Sequence, residues 1–173
     1  MSEIDLSQEV GSALKNAGIT LACAESCTGG LLLSRLTDIP GSSSYLLGGI
    51  VSYSVEMKVN FLGVKRETIA KDGVVSAAVA REMAEGICKA ANSDIGVGIT
   101  GLAGPGGGTA EQPVGLVYIA VTRAGTTAVT RNLFSGSRRE IKYKSTEKAL
   151  TMLKEILAGK AEKFGGFIHC KKK

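Results

Sequence analysis

The chain has 173 residues, 44% hydrophobic and 21% charged, which favours one globular domain with a substantial core. Its only histidine, His169, argues against a Ser-His-Asp triad, a Cys-His pair or a multi-histidine zinc site. The net charge is +5, but residues 159–173 carry five lysines against one glutamate, which leaves +1 on the rest. This near-neutral body has few aromatic residues, so nucleic-acid binding is not expected.

The terminal segments and the cysteines set further expectations. No apolar run reaches the roughly 18 residues that a bilayer requires, and residues 1–15 lack a signal-peptide pattern. We therefore expect a cytoplasmic protein with no membrane partner. Residues 1–158 are predicted to form a single domain, and residues 159–173 a disordered lysine-rich tail. None of the four cysteines forms a C-x-x-C motif, so free thiols are expected.

The first third of the chain predicts a helix, a strand and a second helix. Apolar residues recur at helical spacing up to Gly18, and residues 19–24 then have the pattern of a short buried strand. Residues 31–36 are apolar on most faces, which is typical of a helix packed on a sheet. The glycine-containing segment 25–30 is therefore predicted to be a tight turn between this strand and the second helix.

The rest of the chain continues the alternation of helices and strands. The pattern predicts a loop at 40–44, a strand at 45–53 and a short helix at 55–62. Ser76 is predicted to cap a helix that runs to residue 91, and residues 95–100 form a third strand. A hairpin at 114–122 and 127–134 and a final helix around 149–157 follow. This order predicts an α/β fold, a three-layer α/β/α sandwich with a mixed, roughly five-stranded sheet.

Ser26 is the sharpest candidate for a reactive residue. It lies in the turn before the second helix, where unpaired N–H groups favour negative charge. Its hydroxyl could attack a carbonyl carbon while the N–H groups of Thr28, Gly29 or Gly30 hold the resulting oxyanion. The alternative is that Ser26 or Thr28 merely caps the helix. Cys27 is a second possible nucleophile, but no histidine is at hand to activate it.

A serine without a histidine requires another base. Lysine can serve when burial or a positive dipole lowers its pKa. Lys58 is the best candidate because apolar residues surround it in a short helix, five residues after Tyr53 at a strand end. The segment from Ser12 to Lys15 also matches S-x-x-K, but Lys15 faces water on the first helix, so we discount it.

Two glycine-rich stretches bear on ligand binding. Residues 96–101 match G-x-G-x-x-G, but they lie inside a predicted strand and no helix follows to hold a pyrophosphate. Residues 101–108 contain five glycines, which fits either a flexible connection or a loop whose N–H groups approach an anion. Thr100, at the end of the preceding strand, could donate its hydroxyl to the same ligand.

Several motifs, taken together and in this order, resemble the CinA C-terminal family: Ala24-Glu25-Ser26-Cys27-Thr28-Gly29-Gly30, Tyr53-Ser54-x3-Lys58, Leu62-Gly63-Val64, residues 101–108, Pro113-Val114-Gly115 and Phe134-x-Gly136-x-Arg138. The resemblance covers about residues 6–157. Characterised members of the family are nicotinamide-nucleotide amidohydrolases. The resemblance implies hydrolysis of the carboxamide of nicotinamide mononucleotide (NMN) to nicotinate mononucleotide and ammonia, by a serine/lysine mechanism without a metal or cofactor.

The resemblance also implies roles for individual residues. Ser26 would be the nucleophile, Lys58 the general base, and Tyr53 would orient Lys58 or the substrate. Arg138 would pair with the substrate phosphate. The further substrate-binding positions are Thr28, Gly29, Gly30, Thr100, Gly101, Gly106 and Gly107. The expected assembly is a homo-oligomer.

Two positions depart from the family pattern. Gln112 stands where a lysine often precedes Pro-Val-Gly, and Ser137 stands where an acidic residue often precedes the arginine. These departures bear on how the ligand is oriented more than on the chemistry.

Two other functions stay open at this stage. The chain could be a non-catalytic nucleotide-binding module of the same fold, because fold alone does not establish activity. The presence of both Ser26 and Lys58 argues against that alternative, since a binding module needs neither. An esterase or amidase for another small substrate would keep this pair without the phosphate contacts. Release of ammonia from NMN would discriminate among the three.

Overall fold

The computed structural model describes residues 5–164 and 168–169. Within them the elements are, in chain order, α1 (Leu6–Ala17), β1 (Leu21–Glu25), α2 (Leu31–Thr37), β2 (Leu46–Val51), α3 (Val55–Leu62), α4 (Arg66–Asp72), α5 (Ala77–Ala91), β3 (Ile95–Gly101), β4 (Leu116–Arg123), β5 (Thr126–Leu133), α6 (Arg138–Leu157) and β6 (Ile168–His169), with short 3-10 turns at Ser42–Ser44 and Ala161–Phe164.

The strands form one mixed sheet in the order β2-β1-β3-β4-β5-β6. β1 pairs in parallel with both β2 and β3, whereas β3, β4, β5 and β6 pair in an antiparallel manner. Five strands have five to eight residues, and the two-residue β6 adds a short edge. The predicted mixed sheet of about five strands is therefore confirmed.

Helices cover both faces of the sheet, because side chains alternate between the faces along each strand. One face of β1 carries Cys23, which belongs to a core shared with α1, α2 and α6. The opposite face carries Ala22 and Ala24, which pack against residues of α3 and α5. The architecture is thus the expected α/β/α sandwich, and its central parallel strands are buried on both sides.

The G-x-G-x-x-G match in β3 serves this packing. A Cβ atom on Gly96 would collide with the carbonyl oxygen of Ala84, and one on Gly98 would collide with that of Ala80. These two glycines let α5 lie directly against the sheet. The structure thus gives a packing reason for the motif, in line with the rejection of a dinucleotide site.

Three features differ from the sequence predictions or go beyond them. α4 was not predicted, and α6 begins at Arg138, eleven residues before the predicted start near residue 149. Within the predicted tail, residues 161–164 form a 3-10 turn and residues 168–169 pair with β5. Residues 165–167 and 170–173, including Cys170, lie outside the described residues. No helix in the described part is long and apolar enough to cross a membrane.

Candidate active site

The carboxyl ends of the parallel strands β1 and β3 meet at one edge of the sheet, where α/β proteins commonly bind ligands. A cavity of about 290 Å³ lies there. Of the predicted site residues it is lined by Ser26, Tyr53, Lys58, Thr100, Gly101, Gly106 and Arg138. Its other lining residues are Cys27, Val74, Val75, Leu102, Ala103 and Gly104. A larger groove of about 730 Å³ between α3, α4 and α5 contains neither Ser26 nor Lys58.

Ser26 and Lys58 are in direct contact at the bottom of this cavity. Lys58 lies on α3, whose first turn is fixed by the Ser54 hydroxyl accepting from the N–H of Met57. The Lys58 side chain is buried, and its Nζ donates to Ser26 Oγ at 3.0 Å and to the carbonyl oxygen of Ser52 at 2.5 Å. The lysine predicted to be semi-buried therefore reaches the predicted nucleophile within hydrogen-bond distance.

Burial shifts the pKa values of Lys58 and Cys27 in opposite directions. It lowers the pKa of Lys58 from 10.5 to about 8, because removal from water disfavours the charged ammonium. It also raises the pKa of the Cys27 thiol to about 12, and the nearby Glu25 carboxylate adds to that rise. The thiol is therefore protonated at neutral pH, whereas Lys58 can release its proton slightly above it. This contrast favours Ser26 over Cys27 as the nucleophile.

The turn after β1 does not present its glycine N–H groups to the cavity. Gly29 (φ 62°) donates to the carbonyl oxygen of Ser26, and Gly30 (φ 91°) donates to Glu25 Oε2. The expectation that these two groups hold an oxyanion is therefore not met. In the described part of the chain, the N–H groups of Cys27 and Thr28 donate to no other residue. Of the two, Cys27 lines the cavity, so its N–H group remains the candidate for that role.

Thr28 is not among the residues that line the cavity. Its side chain is fully buried, and its hydroxyl has no hydrogen-bond partner within residues 5–164 and 168–169. Gly107 does not line the cavity either. Of the predicted substrate-binding positions, Thr28, Gly29, Gly30 and Gly107 thus shape the surrounding turns, and the others face the cavity.

One wall of the cavity is the segment 74–75, which two side chains hold in place. The Thr100 hydroxyl donates to the carbonyl oxygen of Val74 at 2.9 Å. Contrary to the sequence-based expectation, its proton is therefore not free to bind a ligand. The Gln112 amide donates to the carbonyl oxygen of Val75 at 3.1 Å. Gln112, which departs from the family pattern, therefore links the loop after β3 to the segment before α5.

Arg138 and Tyr53 form the outer side of the cavity. The guanidinium of Arg138 donates to the carbonyl oxygen of Gly104 at 2.7 Å and to the Tyr53 hydroxyl at 3.0 Å. Ser137 caps α6 in a reciprocal capping box with Glu140, which fixes the helix start that carries Arg138. Ser137, the second departure from the family pattern, thus acts as a helix cap. The Tyr53 hydroxyl accepts from Arg138, whereas Lys58 Nζ donates to Ser26 and Ser52, and 62% of the Tyr53 surface is exposed.

The surface around Arg138 is basic. Between residues 138 and 144 the chain carries Arg138, Arg139, Lys142 and Lys144, and the carboxylate of Glu140 is engaged by the N–H and hydroxyl of Ser137. A second groove of about 680 Å³ adjoins this stretch and shares Arg138 with the cavity. The mouth of the cavity therefore attracts anions. Residues 5–164 and 168–169 contain no cluster of metal-ligating side chains.

Sequence reasoning assigned no role to Glu25 or Ser52. Glu25 is a fully buried carboxylate at the end of β1, and Ser52 supplies the carbonyl oxygen that Lys58 contacts. An acidic residue between a buried strand and a glycine turn was a usable signal for Glu25. No local pattern marks Ser52, because a backbone carbonyl acts there.

Fold and site together define an α/β protein with a buried serine–lysine pair at the carboxyl edge of its parallel strands. The model of the CinA C-terminal domain matches residues 3–157. The chain belongs to this family.

Relatives and solved structures agree with this assignment. A Moorella thermoacetica protein, named for competence-damage induction, is 53% identical over 157 residues, 91% of this chain and 38% of its own length. A CinA-like protein of Desulfotalea psychrophila is 49% identical over 152 residues, 88% of this chain and 37% of its own. The chain thus spans less than two fifths of the length of these relatives.

Among solved structures, the competence/damage inducible protein of Agrobacterium tumefaciens superposes with a TM-score of 0.86 at 36% identity, covering 91% of this chain and 99% of that one. A CinA superfamily protein of Escherichia coli gives a TM-score of 0.84 at 30% identity, covering 87% of this chain and 88% of that one. The fold is therefore that of solved CinA proteins.

Proposed function

We propose that the chain is a serine amidohydrolase that converts NMN to nicotinate mononucleotide and ammonia. The observation that carries this proposal is the 3.0 Å contact between the Lys58 amine and the Ser26 hydroxyl in a buried cavity. Nucleophile and base within hydrogen-bond reach are the geometric requirement for covalent catalysis by a hydroxyl group.

In the first step, Ser26 Oγ attacks the carboxamide carbon while neutral Lys58 accepts the hydroxyl proton. The N–H group of Cys27, a residue that lines the cavity, stabilises the negative oxygen of the tetrahedral intermediate. Lys58 then returns the proton to the amide nitrogen, the C–N bond breaks and ammonia leaves. The product of this step is an ester between Ser26 and the nicotinoyl carbonyl.

In the second step, water attacks the ester carbon and Lys58 accepts its proton. The C–O bond to Ser26 breaks, the serine recovers its proton and nicotinate mononucleotide departs. Lys58 is suited to both directions of transfer because its pKa of about 8 lies near neutral pH. The Ser52 carbonyl accepts a second hydrogen bond from Nζ and keeps it directed at Ser26.

The choice of a nucleotide substrate rests on the family resemblance and on the charge at the mouth of the cavity. Arg138 uses two of its donors on Gly104 and Tyr53, and a guanidinium has five. The remaining donors, with Arg139 and Lys142 nearby, are suited to a phosphate. The cavity of about 290 Å³ is at the lower end of the ~300–1,000 Å³ range of small-molecule sites, which suits the nicotinamide part.

The direct test is to incubate the purified chain with NMN and to follow ammonia together with nicotinate mononucleotide. We expect both products in equal amounts, and much slower turnover of nicotinamide riboside, which lacks the phosphate. Binding of NMN without turnover would support the nucleotide-binding module instead. Equal turnover of NMN and the riboside would indicate an amidase with no phosphate contact.

A further inference from the structure

The Glu25 side chain turns back from the end of β1 to the start of α2. It is fully buried, and its two oxygens accept from three backbone N–H groups: Gly30 at 3.0 Å, Leu32 at 3.2 Å and Leu33 at 2.9 Å. No lysine or arginine in the described part of the chain forms an ion pair with it. The carboxylate is therefore held by backbone donors alone.

These contacts replace the cap that α2 lacks. Gly30 precedes the helix and has no side chain to accept from the first turn. The preceding residues, Gly29 and Gly30, both have left-handed backbone angles, so the turn has little stiffness of its own. With one bond to Gly30 at the end of the turn and two bonds to Leu32 and Leu33 beyond it, Glu25 closes residues 26–30 into a loop fixed at both ends.

Glu25 is linked to both members of the serine–lysine pair. Ser26 is the next residue in the chain. The Glu25 carbonyl oxygen accepts from the N–H of Ser52 at 2.8 Å, and the Ser52 carbonyl oxygen in turn accepts from Lys58 Nζ. A shift of the Glu25 backbone would therefore change the distance between Ser26 Oγ and Lys58 Nζ from both sides.

We propose that the Glu25 carboxylate is a positioning residue for the nucleophile: it holds the turn so that Ser26 Oγ stays within hydrogen-bond distance of Lys58 Nζ and the N–H group of Cys27 stays beside the reacting carbonyl. Because Glu25 accepts from the N–H of Gly30, that group is not available to an oxyanion. This inference rests on the proposed hydrolysis at Ser26. The competing explanation is that Glu25 stabilises α2 and has no effect on the reaction.

The test compares Glu25→Gln with the wild-type chain at a temperature where circular dichroism shows both fully folded. The glutamine amide keeps one acceptor oxygen and replaces the other with an NH2 group. This NH2 group is a donor facing backbone N–H donors, so the glutamine cannot keep all three contacts. We expect kcat with NMN to fall about 100-fold, the cost of a misplacement near 1 Å, while KM changes by less than about threefold. A residue with only a structural role would leave kcat unchanged in the folded protein.

A second readout does not depend on NMN. Phenylmethanesulfonyl fluoride reacts with an activated serine: the bond from Ser26 Oγ to sulfur forms, the sulfur–fluorine bond breaks, and Lys58 takes the serine proton as fluoride leaves. We expect Glu25→Gln to slow this labelling of Ser26, measured by peptide mass, in parallel with kcat. If the wild-type chain labels at Ser26 but releases no ammonia from NMN, the proposed substrate is wrong, and the labelling rates still decide the role of Glu25.

Asp5→Asn is the matched control. Asp5 does not line the cavity; it accepts from the N–H of Ser7 at the start of α1 and from the guanidinium of Arg35 on α2, so the same change from carboxylate to amide weakens helix contacts away from the turn. We expect it to lower stability and leave kcat unchanged. If Glu25→Gln does not fold, Glu25→Asp keeps the charge but withdraws it from α2, and the same loss of kcat is expected. A folded Glu25 variant with wild-type kcat and labelling rate would overturn the inference.

Discussion

The bottom and the outer side of the cavity are built differently. The bottom, formed by Ser26, Lys58 and Thr100, is at most 9% exposed, and each of its polar side chains has a partner within the fold. The outer side, formed by Tyr53, Gly106 and Arg138, is exposed to solvent. The bottom is therefore fixed before a ligand arrives, and the outer side is suited to recognise what enters.

This difference separates chemistry from substrate choice. A change at the bottom should lower kcat, because it removes a group that acts on the reacting bond. A change on the outer side should raise KM and leave kcat largely intact, because it removes a contact that is equally strong before and during the reaction.

The largest effect is expected for Ser26→Ala. Loss of the attacking hydroxyl should lower kcat for ammonia release from NMN about 10⁴-fold or more. The fold should stay intact, because the change removes one atom and little packing. The matched control is Cys27→Ala, which lies beside Ser26 in the same cavity and should retain most of the activity. If Ser26→Ala kept more than about a tenth of the rate and Cys27→Ala lost it, the assignment of the nucleophile would be wrong.

A second expected effect concerns the free energy of unfolding, because burial of the charged Lys58 ammonium destabilises the folded chain. The pKa of Lys58 is about 8 in the folded chain and close to 10.5 when unfolded, so between these values the unfolded chain binds more protons. The free energy of unfolding therefore rises with pH across this window, by up to roughly 3 kcal/mol from this group.

Lys58→Met isolates that contribution, because all other titrating groups cancel in the difference. Urea denaturation at pH 7, 8, 9 and 10 should show wild-type stability rising relative to Lys58→Met as the pH increases. A difference that stays constant over this range would indicate that Lys58 titrates at its ordinary pKa.

On the outer side, Arg138→Ala should raise KM for NMN about 10- to 100-fold, the loss expected for hydrogen bonds to a charged group. The KM for nicotinamide riboside should hardly change, because the riboside has no phosphate for the guanidinium to bind. Arg131→Ala is the control, an exposed arginine on β5 that lines neither the cavity nor the adjoining basic groove. Equal losses on both substrates would contradict a phosphate role for Arg138.

The smallest expected effect is that of Tyr53→Phe. The Tyr53 hydroxyl accepts one hydrogen bond from Arg138, so its removal should raise KM about two- to fivefold and leave kcat unchanged. Steady-state kinetics with NMN distinguish this role from the alternative that Tyr53 orients Lys58. A fall in kcat with a shifted pH midpoint would show that Tyr53 acts on the base.

The sequence predicted the bottom of the cavity better than its outer side. The pairing of Ser26 with Lys58 could be predicted from the sequence. A strand–turn–helix pattern marks Ser26 and a lysine among apolar residues marks Lys58, and the family resemblance implies that the two act together. The prediction that the N–H groups of Thr28, Gly29 or Gly30 hold an oxyanion is not met at the two glycines. Their N–H groups are taken up by contacts within the turn, and a buried carboxylate accepts one of them.

Other features depend on contacts between residues far apart in the chain. Gln112 and Val75 are 37 residues apart, and Tyr53 and Arg138 are 85 residues apart. No local pattern specifies such pairs. The helix α4 was missed for another reason, since none of its residues is fully buried and it has no strong apolar periodicity. Its sequence therefore resembles that of a polar loop.

The central claim is that a buried lysine acts as the base for Ser26, and the pH dependence of kcat for NMN tests it most directly. The account predicts that kcat rises with pH through a midpoint near 8, where Lys58 becomes neutral, and then levels off. Lys58→Arg keeps the charge but releases no proton, so it should be nearly inactive across the same range. Substantial activity in Lys58→Arg with an unchanged pH profile would contradict the serine/lysine mechanism.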